Sequence, residues 1–431
     1  MAKEQKPTAD QHYVPRCYLK NFGLQVGKPN KPKYLIGFYQ FDKQLLKAPI
    51  CSIESVCYKD FYYGEDGVVE KQLCHKERVW SVTIQSAINA AYGGKPLSQA
   101  EKDNLKEFAL YQYSRTTAMV NYTTAQNADM MTNLCLMKYP KYEKDKDTIW
   151  KLCKEKVEGE IPPASYVKIA DSLLDIIEDL KVSLVRFDTP VKLITSDAPV
   201  VNLNPYTMLH NAGFGTIGAI IVFPIHPAIA VLIYDGKMYS KVADVVYGNE
   251  KDVEALNRYQ YITAEDRVLS IHPDIMERLA KDIELNNARE NFRDKAKLSQ
   301  MPSESTKHGD SVLIAFHGRF INYIFPLSFI KLPREIRKIS LDCRDALMRI
   351  DEDGGWRYRL LMLAYGMSTV ERLGGIPEAE IKKRRTEYRK LLRYMDDYWQ
   401  IPINERTITP QMMARLQLQS GKLIRKEALR Y

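Results

Sequence analysis

VSLVRFDTPVKLITSDAPVVN, residues 182–202, is where the chain changes its period. Upstream, apolar residues return every three or four positions. Here and just beyond they come as short runs, Val182 to Phe187, Lys192 to Thr195, Gly218 to Phe223 and Ala228 to Tyr234, separated by Pro, Asn and Gly. Runs of that length between turn formers predict strands. A helical stretch followed by a small sheet, without the even rhythm of a doubly wound fold, predicts an α+β protein with helices packed on a small mixed or antiparallel sheet.

Working back from this stretch, Leu73, Trp80, Ile84, Ala87 and Ala91 fall at helical spacing, and Gly93-Gly94 ends that helix. Ser98 and Glu101 form the S-x-x-E of a capping box, opening a second helix that continues past Arg115. A charged helix from Lys138 to Ile161, a loop at Pro162-Pro163 and a helix over 164–180 follow. Nearer the start, Tyr34 to Asp42 and Val56 to Tyr63 read as strands. Working forward, a helix from Asn249 to Arg258 precedes a strand at Gln260 to Thr263, and from Pro273 the chain is mostly helical, with a linker at 300–310. At 431 residues the chain exceeds what one core usually supports. We expect an α+β domain over 1–270 and a mainly helical basic extension over 271–431.

Composition narrows the classes. Hydrophobic residues make 45% and charged residues 27%, an ordinary globular balance. The polar start MAKEQKPTADQHYVPR lacks the apolar core of a secretory signal, and no run reaches membrane-spanning length, so a cytoplasmic protein without a membrane span is expected. Seven cysteines without CxxC pairing read as reduced thiols, and Cys74-His75 lacks the further ligands of a zinc site. The net charge of +9 is uneven: residues 331–431 hold 22 Lys and Arg against 14 Asp and Glu. No Walker loop, GxGxxG, HExxH, EF-hand loop or GxSxG elbow occurs.

Three stretches carry more than composition: QHYVPRCYLKNF (Gln11 to Phe22), FALYQYSR (Phe108 to Arg115) and LITSDAPVVN (Leu193 to Asn202), the last followed by FPIHP (Phe223 to Pro227) and Leu256-Asn257. Together, over residues 11 to about 270, they resemble the HYVP-motif family, domain of unknown function 4238. That family has no agreed activity, so the resemblance marks positions rather than a reaction. Its FPxxP stretch commonly has Ser where this chain has His226.

The residues themselves suggest roles. Tyr13, Val14, Tyr18, Leu19 and Phe22 would dock the first strip on the body and fix His12 there, as base, acid or metal ligand, or merely as a hydrogen-bonded anchor. Glu77 lies in the apolar stripe of Leu73, Trp80 and Ile84, and Arg115 shares a stripe with Leu105, Phe108, Gln112 and Met119. Inward charges on two helices either pair with each other or line a cleft in which Arg115 grips a phosphate or carboxylate. Asp197, after a strand and before Ala198-Pro199, reads equally as metal ligand and as turn cap. In the tail, Pro377 to Trp399 patterns as an amphipathic helix whose Lys382, Lys383, Arg384, Arg385, Arg389, Lys390 and Arg393 suit phosphate backbones, an anionic membrane surface or plain solvent.

Two functions stay open. One is a nuclease-like hydrolase of nucleic-acid or nucleotide phosphodiesters: His12, Glu77, Arg115 and Asp197 form the site, Glu77 and Asp197 hold Mg²⁺ or Mn²⁺, and the tail gathers DNA or RNA. Microbial anti-phage defence would be a natural setting. The other is a binding protein without catalysis, its inward charges structural and its tail recognising nucleic acid or an acidic partner.

Overall fold

The computed structural model of the chain describes residues 9–204, 213–216, 218–236, 238–239, 242–293, 298–302, 312–316 and 325–331. In chain order its strands are β1 (Asp10–His12), β2 (Leu24–Lys28), β3 (Lys31–Gln40), β4 (Leu45–Ser52), β5 (Tyr58–Asp60), β6 (Lys181–Phe187), β7 (Thr195–Ser196), β8 (Val201–Leu203), β9 (Ile220–His226), β10 (Ile229–Tyr234), β11 (Val245–Gly248), β12 (Arg267–Ser270), β13 (Leu298–Pro302) and β14 (Val312–Phe316). Its helices are α1 (Arg16–Leu19), α2 (Val68–Ala91), α3 (Gln99–Ser114), α4 (Thr117–Lys138), α5 (Lys146–Glu160), α6 (Pro163–Ile177), α7 (Glu250–Thr263), α8 (Pro273–Ala280) and α9 (Ile283–Arg293). The fold is α+β.

Two compact units divide the chain: 1–174 with 180–299 and 316–346, and 175–179 with 300–315 and 347–431. The first unit holds two five-stranded sheets. One runs β11-β6-β10-β9-β8, antiparallel except where β11 joins β6. The other runs β2-β3-β12-β7, with β4 also on β3. The runs of β9 and β10 are buried almost without interruption because both faces of their sheet are covered, α2 lying against β6 and β9, and α7 against β8. Helices α8 and α9, beyond residue 270, bury Ile275, Met276, Leu279, Leu285 and Ala288 in one cluster with Ile194, Tyr261 and Val268. In the second unit the described residues include parts of β13 and β14, which pair as a two-stranded sheet. The basic helix expected over 377–399 lies outside the described residues, as does most of the expected extension.

Several boundaries differ from the sequence pattern, each for a physical reason. The helix expected to continue past Arg115 stops at Ser114, and α4 restarts where the Thr116 hydroxyl accepts the Met119 amide as an N-cap. Gln260 to Thr263, expected as a strand, is the last stretch of α7. Its carbonyls are satisfied from elsewhere in the chain: buried Arg289 donates to the carbonyl oxygens of Tyr261, Ala264 and Glu265. The strand expected from Lys192 shrinks to Thr195–Ser196, because Asn257 of α7 takes over the neighbouring backbone, accepting from the Ile194 amide and donating to the Lys192 carbonyl. By contrast, the signals at Gly93-Gly94 and Ser98 operate as read. Gly93 sits at φ +89° and Gly94 packs so near the Asn89 carbonyl that a Cβ would come within 2.7 Å. The full capping box forms at Ser98 and Glu101.

Candidate functional site

The strip at Gln11 to Phe22 is anchored at both ends. In β1 the Gln11 side chain accepts the Tyr63 amide at 2.6 Å and donates to the Gly64 carbonyl at 3.0 Å, while the Tyr13 amide donates to the Cys57 carbonyl. His12, between them, pairs in register with Tyr58 of β5 and lies half-buried with its ring 5.6 Å from the Tyr58 ring. Tyr13, Val14, Tyr18, Leu19 and Phe22 are each at most 4% exposed. The Tyr18 hydroxyl reaches the Pro224 carbonyl and the Thr195 hydroxyl, both at 2.7 Å. One phenol thereby joins three of the sequence motifs. Pro224 lies beside an irregularity in the β9–β10 register, where its missing N–H and spare carbonyl are accommodated.

Arg115, at the end of α3, is fully buried, and its Nη1 is 2.9 Å from Glu77 Oε1, a carboxylate 25% exposed on α2. Its Nε donates to Gln112 Oε1, and Gln112 in turn donates to the Tyr13 carbonyl, tying the cluster to the strip. Trp80 lies under the guanidinium, 5.8 Å from ring centre to Cζ. The third nitrogen, Nη2, is buried and makes no well-formed hydrogen bond, although the guanidinium approaches the Tyr63 phenol. That phenol donates to the His12 carbonyl at 3.4 Å, so it links arginine to histidine. His12 Nε2 is likewise buried without a partner. An unsatisfied buried polar atom costs roughly 1–3 kcal/mol, so each of these two would gain from a partner.

The electrostatics follow from burial and from the arginines. His12 is lowered to about 4, first by burial and then by Arg16, with Arg115 adding to the effect, against a backbone hydrogen bond at Glu54 and the charge of Asp10. At neutral pH its ring is uncharged. Burial, followed by Glu77, pushes the Cys17 thiol up to about 12, so it is no nucleophile. The same two causes, in that order, raise Glu70 on the outer part of α2.

Asp197 lies in a different setting. Its Oδ1 accepts the Glu265 amide, and its Oδ2 accepts those of Asp266 and Arg267, at 2.7–3.2 Å. It clamps the turn from α7 into β12, and burial lifts it to about 6 even though those amides favour the charged form. Both oxygens, which the sequence offered equally to a metal or to a turn, face backbone. Among the described residues no group of three or more His, Cys, Asp and Glu side chains could hold a metal ion. Ser196 is bound to Gln260, and His226 Nδ1 accepts the Ala228 amide. The structure thus gathers His12, Glu77 and Arg115, and sets Asp197 to a different task. Sequence reading overlooked Tyr63 and took Tyr18 only as an apolar anchor, since nothing local marks a hydroxyl that bonds across 51 to 206 residues. Lys382, Lys383, Arg384, Arg385, Arg389 and Arg393 lie outside the described residues.

Among the described residues no helix is long and apolar enough to cross a membrane. The family model for a protein of unknown function, DUF4238, matches residues 10–272, more than half of the chain, and the chain belongs to that family. No curated protein and no solved structure matches it.

Proposed function

We propose that the protein is a phosphodiester hydrolase whose site is the His12–Glu77–Arg115 cluster, with nucleic acid or a nucleotide as substrate. The observation that carries this reading is Arg115, wholly buried, oriented by Gln112 and Glu77 and left with one nitrogen to spare. A guanidinium fixed at two corners is a preorganised holder for an oxyanion, and preorganised donors at developing charge are a large source of catalysis. Glu77, a quarter exposed, stands at the rim where Mg²⁺ or Mn²⁺ could reach it without disturbing the Asp197 clamp. The basic tail would gather the polymer.

The test is hydrolysis of bis(4-nitrophenyl) phosphate and of single- and double-stranded DNA and RNA, with Mg²⁺ or Mn²⁺ present. Turnover by the full chain, reduced at least about a hundredfold in Arg115→Lys with an unchanged circular dichroism spectrum, is the expected result. Phosphate binding without turnover of any substrate would replace the hydrolase by the binding protein.

A further inference from the structure

Strands β2 and β3 leave their sheet as a two-stranded ribbon. β3 gains β4 from Leu35 onward and β12 from Gly37 onward, so among the described residues its stretch from Lys31 to Tyr34 pairs with β2 alone. No residue of β2 is buried, and Lys31, Pro32 and Lys33 are exposed. The register decides which side chains share a face. Lys28 lies opposite Lys31 across the Pro29-Asn30 turn, and Val26 lies opposite Lys33. Side chains alternate along a strand and opposed residues point the same way, so Lys28, Lys31 and Lys33 stand on one face. None of the three forms an ion pair with a described residue. Nearby sequence does little to neutralise them: from Gln11 to Ile53 there are seven Lys and Arg and one acidic residue, Asp42. Like charges set directly opposite each other destabilise a ribbon, and an anion on that face would relieve them.

We propose that this ribbon lies in the major groove of duplex DNA, with the stems of Lys28, Lys31 and Lys33 reaching phosphates along the groove. The class of polymer rests on the hydrolase reading above; the place rests on the charge and shape of the ribbon. Its five cross-strand pairs span about 16 Å, and the major groove of B-form DNA, about 12 Å wide, admits a two-stranded ribbon. The major groove of an RNA duplex is too narrow for side chains to read, and a single strand offers no groove. Lysine is a mobile point charge, and its contacts to phosphate carry no sequence information, so duplexes of different sequence bind alike. Because β2 begins at Leu24, two residues beyond the docked strip, the duplex is brought to the same compact unit as His12 and Arg115.

The test is fluorescence anisotropy of the full chain with a short labelled DNA duplex over a range of salt, beside an RNA duplex and a single DNA strand of the same sequence. The DNA duplex should bind tightest. The triple variant Lys28→Gln, Lys31→Gln, Lys33→Gln should weaken it at least about tenfold and make the salt slope shallower by about two to three. Replacing the same lysines by Arg should keep wild-type binding, and both variants should keep the wild-type circular dichroism spectrum. Unchanged duplex binding by the glutamine variant overturns the proposal; self-association of that variant would then assign the lysines to keeping an edge strand from pairing. Tighter binding of the RNA duplex or of the single strand overturns it as well. Hydrolysis of bis(4-nitrophenyl) phosphate separates this proposal from the reading beneath it. The glutamine variant should retain that turnover, and losing it would move the lysines into catalysis and overturn the groove seat. Ribbon-dependent duplex binding by a chain without any turnover would remove the hydrolase and leave the ribbon.

Discussion

Protonation of single side chains sets measurable limits on this fold. His12 is lowered to about 4 from an ordinary 6.5, so its contribution to stability is present above 6.5 and is lost as pH falls through 4. The full effect is up to about 3 kcal/mol. Asp197, raised to about 6, works in the opposite sense: its contribution is present below 3.8 and is lost as pH rises through 6. In urea unfolding at several pH values the two contributions should oppose each other between pH 6 and 4, and His12→Gln, which leaves the Asp197 contribution alone, should gain stability relative to wild type as pH falls through that window. Asp197→Asn should cost roughly 2–3 kcal/mol at pH 7, because an amide nitrogen would face backbone N–H donors that now have an acceptor. If that variant unfolds at the wild-type urea concentration, the clamp on the α7–β12 turn is not what holds it.

Individual elements show which parts of this arrangement are local. The Ser98 capping box and the Gly93-Gly94 stop are written within a few residues, and they read correctly from the chain. So did the inward faces of α2 and α3, since Leu73, Trp80 and Phe108 repeat at helical spacing and carry Glu77 and Gln112 with them. The end of α7 did not, because Arg289 caps it from 24 to 28 residues away. Asp197 sat between two readings for a related reason: its three amide partners are 68 to 70 residues downstream. The same distinction separates two substitutions. Ser98→Ala should lower stability by about 1 kcal/mol, a loss confined to one helix end. Tyr18→Phe removes a single oxygen yet strands the Pro224 carbonyl and the Thr195 hydroxyl, and should cost about 1–3 kcal/mol. Thermal melts of the two variants side by side would check both, and a Tyr18→Phe melt equal to wild type would show the motifs are not joined through that phenol.

Across the molecule as a whole, charge and chain order matter more than any one contact. If the tail engages nucleic acid, its cations should release counterions from several phosphates, and affinity for a labelled oligonucleotide should fall steeply with salt. Replacing Lys382, Lys383, Arg384 and Arg385 by Gln should flatten that slope and weaken all sequences alike; identical curves for both proteins would leave the tail without this role. The strip at Gln11 to Phe22 imposes a different order on events. Tyr18 bonds to residues 177 and 206 positions later, so on a ribosome adding 5–20 residues per second its partners arrive roughly ten to forty seconds after it does. Throughout that interval the strip has only early neighbours such as Tyr62 and α2 to pack on, and lacks the sheet that closes over Tyr18. Nascent chains stalled before residue 224 should therefore leave Tyr18 without the Pro224 carbonyl, and synthesis past the β9–β10 hairpin becomes the moment at which the strip that carries His12 is bolted to the sheet.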